Sequence, residues 1–170
     1  EAYRANCTDG WATGPDDGYF FQQLPYHLKE AGEEEELKKL LLDYDWLLAK
    51  VRATHPQALI ADCDLLADDA EIRMLRRAIR YSVPALARNP DQLPVQLVGR
   101  LLRLEKAGLR SLRDRAKARG PTGLWFCPKS ASLQPPEGGL IQHFLGHTKR
   151  LLGARVLADG RRALSWSGDK

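Results

Sequence analysis

Cysteine is scarce and poorly placed for chemistry. Cys7, Cys63 and Cys127 are far apart, odd in number and without a CxxC pair, which argues against a disulfide framework and against a zinc site. Cys63 falls on an apolar helical face and reads as a small buried hydrophobe, whereas Cys7 and Cys127 fall in loops. No apolar run approaches the roughly 20 residues that a membrane helix needs. The opening EAYRANCTDGW also lacks the charged-then-apolar order of a secretory leader, so a cytoplasmic location is expected.

Chemical motifs are equally sparse. There is no GxxxxGK[ST] run, so this chain has no phosphate-cradling loop of that kind. Asp62, Asp64, Asp68 and Asp69 form a dense acidic group without the turn glycine and distal glutamate of a calcium loop, and helix ends explain them better. His143 and His147 have the spacing of metal ligands on a helix but fall in a strand-and-turn pattern with no acidic or cysteine partner, so no metal is expected. His27, beside Leu28, has no nucleophile or orienting carboxylate near it and reads as a histidine packed between helices. With no cofactor motif and no reacting group, the chain reads as a non-enzyme, free of any deep cleft where ionisable side chains converge.

What is present is helical periodicity. At 170 residues and 44% hydrophobic, the chain is long enough for one domain with a real core, with room for an appendage. Phe20, Leu24, Leu28 and Ala31 recur at helical spacing, as do Leu37, Leu40, Leu41 and Tyr44, then Leu47, Leu48 and Val51, then Leu59, Cys63 and Leu66. Polar breaks near Gly32, at 43–45 and at 54–56 separate the sets, so consecutive helices must fold back on one another to bury these faces. Phe20, Leu24, Leu28, Leu41, Trp46, Leu59, Ile79 and Leu97 are the expected core.

The rest of the chain follows the same grammar. Residues 1–18 end in Gly14-Pro15-Asp16-Asp17-Gly18, a loop in which Asp16 or Asp17 caps the first helix. Pro25 either lies near that helix's start or kinks it. Glu33 to Glu36 suit the first turn of the second helix, with Lys38 and Lys39 pairing back to them. Asp68 and Glu71 have capping-box spacing ahead of a helix carrying Ile72, Leu75, Ile79, Val83 and Leu86, in which Pro84 marks a bend or an early end. Asn89-Pro90 restarts the chain for a helix with Leu93, Leu97, Val98, Leu101 and Leu104. A last helix, with Leu109, Leu112 and Ala116, stops near Gly120-Pro121.

Residues 120–139, rich in proline and glycine, read as a linker in which Leu124-Trp125-Phe126 should be pinned against the helices. Residues 140–157 and 161–167 read as strands joined at Asp159-Gly160. The expected architecture is therefore mainly α: a loop (1–18), an antiparallel multi-helix bundle (19–119), the linker, and a short β segment (140–170).

Charge is distributed unevenly. Residues 1–72 hold sixteen acidic and six basic side chains, residues 73–120 three acidic and thirteen basic, within an overall net charge of +4. Mutual attraction inside the fold accounts for this more simply than an anionic partner. Arg73, Arg76, Arg77 and Arg80 share one helical stripe, and Arg110, Arg113 and Lys117 another. They are the candidate partner surface, for a peptide or a nucleic acid, although no aromatic residues or base-reading motif accompany them.

Two stretches carry a resemblance. Tyr19-Phe20-Phe21, Leu24, Tyr26-His27-Leu28, Leu40-Leu41-Leu42, Asp45-Trp46, Ala49-Lys50 and Leu59-Ile60 resemble the APAF-like helical arm of STAND-type signalling ATPases, which joins a nucleotide-binding (NB-ARC) module to a WD-repeat propeller. Gly146-His147-Thr148, Asp159-Gly160-Arg161 and Leu164-Ser165-Trp166-Ser167-Gly168-Asp169 are similar to the opening of a WD repeat. The resemblance implies a non-enzymatic connector with those two modules as intramolecular partners. It also implies an incomplete first blade in which His147, Ser165 and Asp169 form a hydrogen-bond network, the tryptophan that ends it in the family not being reached. Unpaired strand edges of such a blade would leave residues 140–170 poorly ordered, docked on the helices, or self-associated with a second copy.

Overall fold

The computed structural model describes residues 7, 10–121, 125–131, 133–137, 147–160 and 162–169. The chain divides into two units, Glu1–Gly139 and Leu140–Lys170. It is mainly helical, with a small two-stranded antiparallel sheet near the C-terminus. Among the described residues no helix is long and apolar enough to cross a membrane.

In the first unit a 3₁₀ turn at Trp11–Thr13 precedes α1 (Phe20–Glu30), α2 (Glu34–Leu41), α3 (Tyr44–Ala53) and α4 (Pro56–Asp64). Asp17 accepts from the amides of Tyr19 and Phe20 and so starts α1. Pro25 sits inside α1 and is buried, so its ring faces the core instead of ending the helix. Gly32, at φ 73°, closes α1: its amide donates to Lys29 O and that of Glu33 to Leu28 O, the paired bonds of a Schellman stop. Asp43 caps α3 by accepting from Asp45 N, and Pro56 occupies the first turn of α4.

α5 (Ala70–Leu86) is the longest helix, and α4 packs along it. Its cap is Asp69, which accepts from Glu71 N and Ile72 N, not Asp68. That one-residue shift frees Glu71 from a capping box, and its carboxylate instead accepts from Gly108 N at 2.8 Å and lies 3.2 Å from Lys38 Nζ. Lys38 therefore turns away from the glutamates of its own helix to Asp69, at 2.8 Å, and Glu71. Of Lys38 and Lys39, the latter alone lies near one of those glutamates, 3.9 Å from Glu36, while Glu34 pairs with Lys29 at the end of α1. α5 runs two residues past Pro84 and stops. Asn89 caps a 3₁₀ turn at Pro90–Gln92, from which α6 (Leu93–Leu101) and then α7 (Ala107–Arg119) follow.

All eight expected core residues are buried. Their centre is aromatic: the Phe20 ring meets Trp46 edge-on at 5.9 Å, and Phe21 lies 5.3 Å from the same indole. Each such pair contributes about 0.5–1.5 kcal/mol beyond the apolar area it hides. After α7 the linker runs back over α5 and α6. Arg100 donates to Gln134 O, Tyr81 O and Ser82 Oγ and stacks on the Tyr81 ring, and Leu133 lies over Gly99, where a Cβ would come within 2.8 Å of it. Trp125 is partly buried against the core, but Phe126 is 95% exposed, contrary to the expectation that both would be pinned. Trp125 takes the inward side, its indole against Gly120, and its neighbour is left facing out. Leu124 lies outside the described residues.

The second unit is a hairpin of β1 (Leu151–Val156) and β2 (Ala163–Ser167), paired Gly153↔Trp166 to Val156↔Ala163 with a bulge at Leu152. The turn is at Asp159-Gly160, with Gly160 at φ 64°. The strands are shorter than their sequence pattern suggested, and 140–146 lie outside the described residues. Leu152, Val156 and Leu164 are exposed, because two strands alone bury neither face.

Candidate functional site

The first unit carries a cleft of about 520 Å³ that sequence reasoning missed. Tyr44, Asp45 and Arg52 reach it from α3, Asp91 from the turn before α6, and Arg115 and Arg119 from the end of α7. Asp45 sits between two guanidinium groups: Arg115 Nη2 lies 2.8 Å from Oδ2 and Arg119 Nε 3.1 Å from Oδ1. Across the cleft Arg52 donates to Asp91 Oδ1 at 2.6 and 2.9 Å.

Burial alone would raise the Asp45 carboxyl, but Arg115 and Arg119 together outweigh it and hold it below the usual carboxylate range. Burial, with Asp45 nearby, pushes the Tyr44 phenol up, so it stays a neutral donor. A base held ionised by two cations and a phenol held protonated are poor catalysts near neutral pH. The expectation that no ionisable side chains converge is therefore corrected: they do, as paired charges around a cavity. The sequence signal was Arg115 and Arg119 at i,i+4, but their shared partner Asp45 lies some seventy residues away, where spacing says nothing.

The arginine stripe on α5 is largely engaged inside the unit. Arg73 donates to the carbonyls of Ala67 and Asp68, Arg76 lies 2.6 Å from Asp64, and Arg77 reaches Pro136 O. Arg80 also has a partner. On α7, Arg113 donates to Leu102 O and Asp114, and Arg110 lies 3.8 Å from Glu105, while Lys117 is exposed. The acidic first part and the basic second part thus meet in Asp45–Arg115, Asp45–Arg119 and Asp64–Arg76, with Arg52–Asp91 crossing in the opposite sense.

Two further groups matter. Lys50 on α3 and Asp62 on α4 are both buried, 2.6 Å apart, in an angle too bent for an aligned hydrogen bond. Desolvation dominates both: it pushes Asp62 up to about 6 and Lys50 down, against their mutual attraction. Burial likewise raises the Cys63 thiol, which leaves it inert. Among the described residues no group of His, Cys, Asp and Glu is placed to hold a metal. His27 is exposed and bonded to Tyr19 Oη at 2.8 Å, so it is not packed between helices. His143 lies outside the described residues.

In the hairpin unit His147, Ser165 and Asp169 come together. His147 Nδ1 lies 3.0 Å from Asp169 Oδ1 and Nε2 2.9 Å from Ser165 Oγ. Asp169 also accepts from Thr148 N and is held below the usual carboxylate range by Ser167, Thr148 and His147. The Trp166 ring covers Gly153, where a Cβ would lie 2.2 Å from it, so a larger residue there would have to displace that ring.

No curated protein and no solved structure matches this chain. The family model described as the APAF-1 helical domain matches residues 1–75, which span α1 to α4 and the first turn of α5. That domain is a non-catalytic one. The first 75 residues of this chain are thus similar to the APAF-1 helical domain.

Proposed function

We propose that the chain is a structural connector in a STAND-type signalling ATPase, holding a WD-repeat sensor at a fixed geometry relative to a nucleotide-binding NB-ARC switch. The observation that carries this reading is the match of the first four helices to the APAF-1 helical domain, joined to a core in which Phe20, Phe21 and Trp46 interlock α1 with α3. A connector transmits position only if its helices do not slide, and close packing of large rings supplies that resistance. The His147–Ser165–Asp169 contacts favour reading the hairpin as the start of a WD blade, whose open strand edges would be completed by further strands of the propeller or by a second copy. The acting partners would then be the flanking modules, in the cytoplasm, with no cofactor bound by the connector's own WD network.

The reading frame around this stretch tests the proposal directly. A phosphate-binding GxxxxGK[ST] loop upstream and repeats of roughly 40–45 residues downstream support it; a frame with neither sinks it. The competing role, a peptide- or nucleic-acid-binding module working through the arginine stripes, is separated by titrating the chain against mixed-sequence DNA and RNA. Because most stripe arginines already hold internal acceptors, binding should vanish by roughly 0.15 M salt. Retention above that concentration would favour the competing role.

A further inference from the structure

We propose that the cleft between α3 and α7 binds a small organic phosphate, the phosphoryl group meeting Arg52, Arg115 and Arg119 and the Tyr44 hydroxyl. Tyr44 is 1% exposed and is among the residues lining the cleft, and its buried Oη has no hydrogen-bond partner among the described residues. A buried hydroxyl without a partner is costly, and it stays protonated here, so it offers a donor to whatever enters. Its electrostatic neighbours are Asp45, Arg52, Arg119 and Asp91, which places the charged rim around that hydroxyl.

The rim is cationic on balance, three guanidinium groups against two carboxylates. Asp45 engages Nε and Nη2 of Arg115 and only Nε of Arg119, and Asp91 engages Nε and Nη2 of Arg52. Among the described residues, Nη1 of Arg52, Nη1 of Arg115 and both terminal nitrogens of Arg119 therefore keep donors without a partner, while the two carboxylates hold the guanidinium planes in place. A tetrahedral dianion presents three terminal oxygens in different directions, and so more acceptor sites for such donors than a single planar carboxylate. A cation is disfavoured, because both oxygens of Asp45 already face arginines. The cavity, at about 520 Å³, is far larger than a bare ion and has Leu48 and Ala49 in its wall, so the ligand should carry an organic body.

The probes are phenyl phosphate, inorganic phosphate, sulfate and benzoate, each titrated to about 10 mM against the isotopically labelled chain while amide shifts are followed by NMR. Phenyl phosphate should move the amides of residues 44–52 and 115–120 saturably and bind at least several-fold more tightly than the other three. Tyr44→Phe and Arg119→Gln should each weaken it by roughly tenfold, the loss expected for one hydrogen bond to a charged group. Tyr44→Phe also separates a ligand-facing hydroxyl from a structural one: the unliganded variant should melt at the same temperature as the parent or higher, since it sheds an unpaired group. The proposal is overturned by shifts that do not saturate, by equal affinity for sulfate or benzoate, by binding that survives both substitutions, or by a clear loss of stability in unliganded Tyr44→Phe.

Discussion

Trp46 concentrates the argument at the scale of a single residue. It is fully buried, touches Phe20 and Phe21, and leaves its indole N–H without an acceptor. With no acceptor for that donor among the described residues, the contribution of Trp46 to stability comes from the volume it fills. Trp46→Ala should therefore lower stability by about 3–5 kcal/mol, read as a shift in the urea midpoint at unchanged slope. An unchanged midpoint would remove Trp46 from the centre of the core. Other single residues show how neighbours override local rules. Asp69 caps α5 although Asp68 has the better box spacing, and Glu71 is engaged by Gly108 N and Lys38 instead of closing a box. His27 sits on the outside of α1, bonded to Tyr19, although Leu28 beside it is buried, since neighbouring helical positions face different ways.

Between elements, α3 and α4 are joined by Lys50 and Asp62, a buried pair whose desolvation exceeds what it returns. Removing one partner strands a charge, so Lys50→Met or Asp62→Leu alone should cost about 3–5 kcal/mol. The double substitution should come within about 1 kcal/mol of the parent or exceed it. The pair also sets a pH dependence. Asp62 keeps its proton up to about pH 6 when folded but only to about 3.8 when unfolded, so the native state binds more protons between those values. Stability should then rise as pH falls from 6 toward 4, and the double variant should lose that rise. Below this window Asp45 and Asp69, both held below the ordinary carboxylate range, lose their arginine and lysine partners and stability should fall. A parent whose urea midpoint only falls from pH 6 to pH 4 would contradict the assignment. The elements themselves were legible from sequence because glycine, proline and capping aspartates punctuate them: Gly32, Asp43, Pro56 and Asn89 each mark an observed boundary. The cleft was not, because Asp45, Arg52, Asp91, Arg115 and Arg119 share no local pattern and meet only after α7 folds back on α3. The exposure of Phe126 was illegible for a similar reason, since composition cannot say which of two adjacent aromatic rings faces inward.

For the molecule as a whole, a connector role requires the helical unit to act as one stiff body, with α5 bridging the matched residues 1–75 and the helices that follow. The core is continuous across that junction, from Phe20 and Trp46 through Leu59 and Leu75 to Leu97 and Leu112, all buried. Native-state hydrogen exchange of the intact chain measures this most directly. The slowest amides of α3, α4, α5, α6 and α7 should exchange with one common free energy, equal to that of global unfolding and shifted together by urea. Exchange from α6 and α7 at a free energy lower by ~2 kcal/mol or more than from α3 and α4 would show two bodies joined at α5, and the connector could not then hold its ends at a fixed geometry.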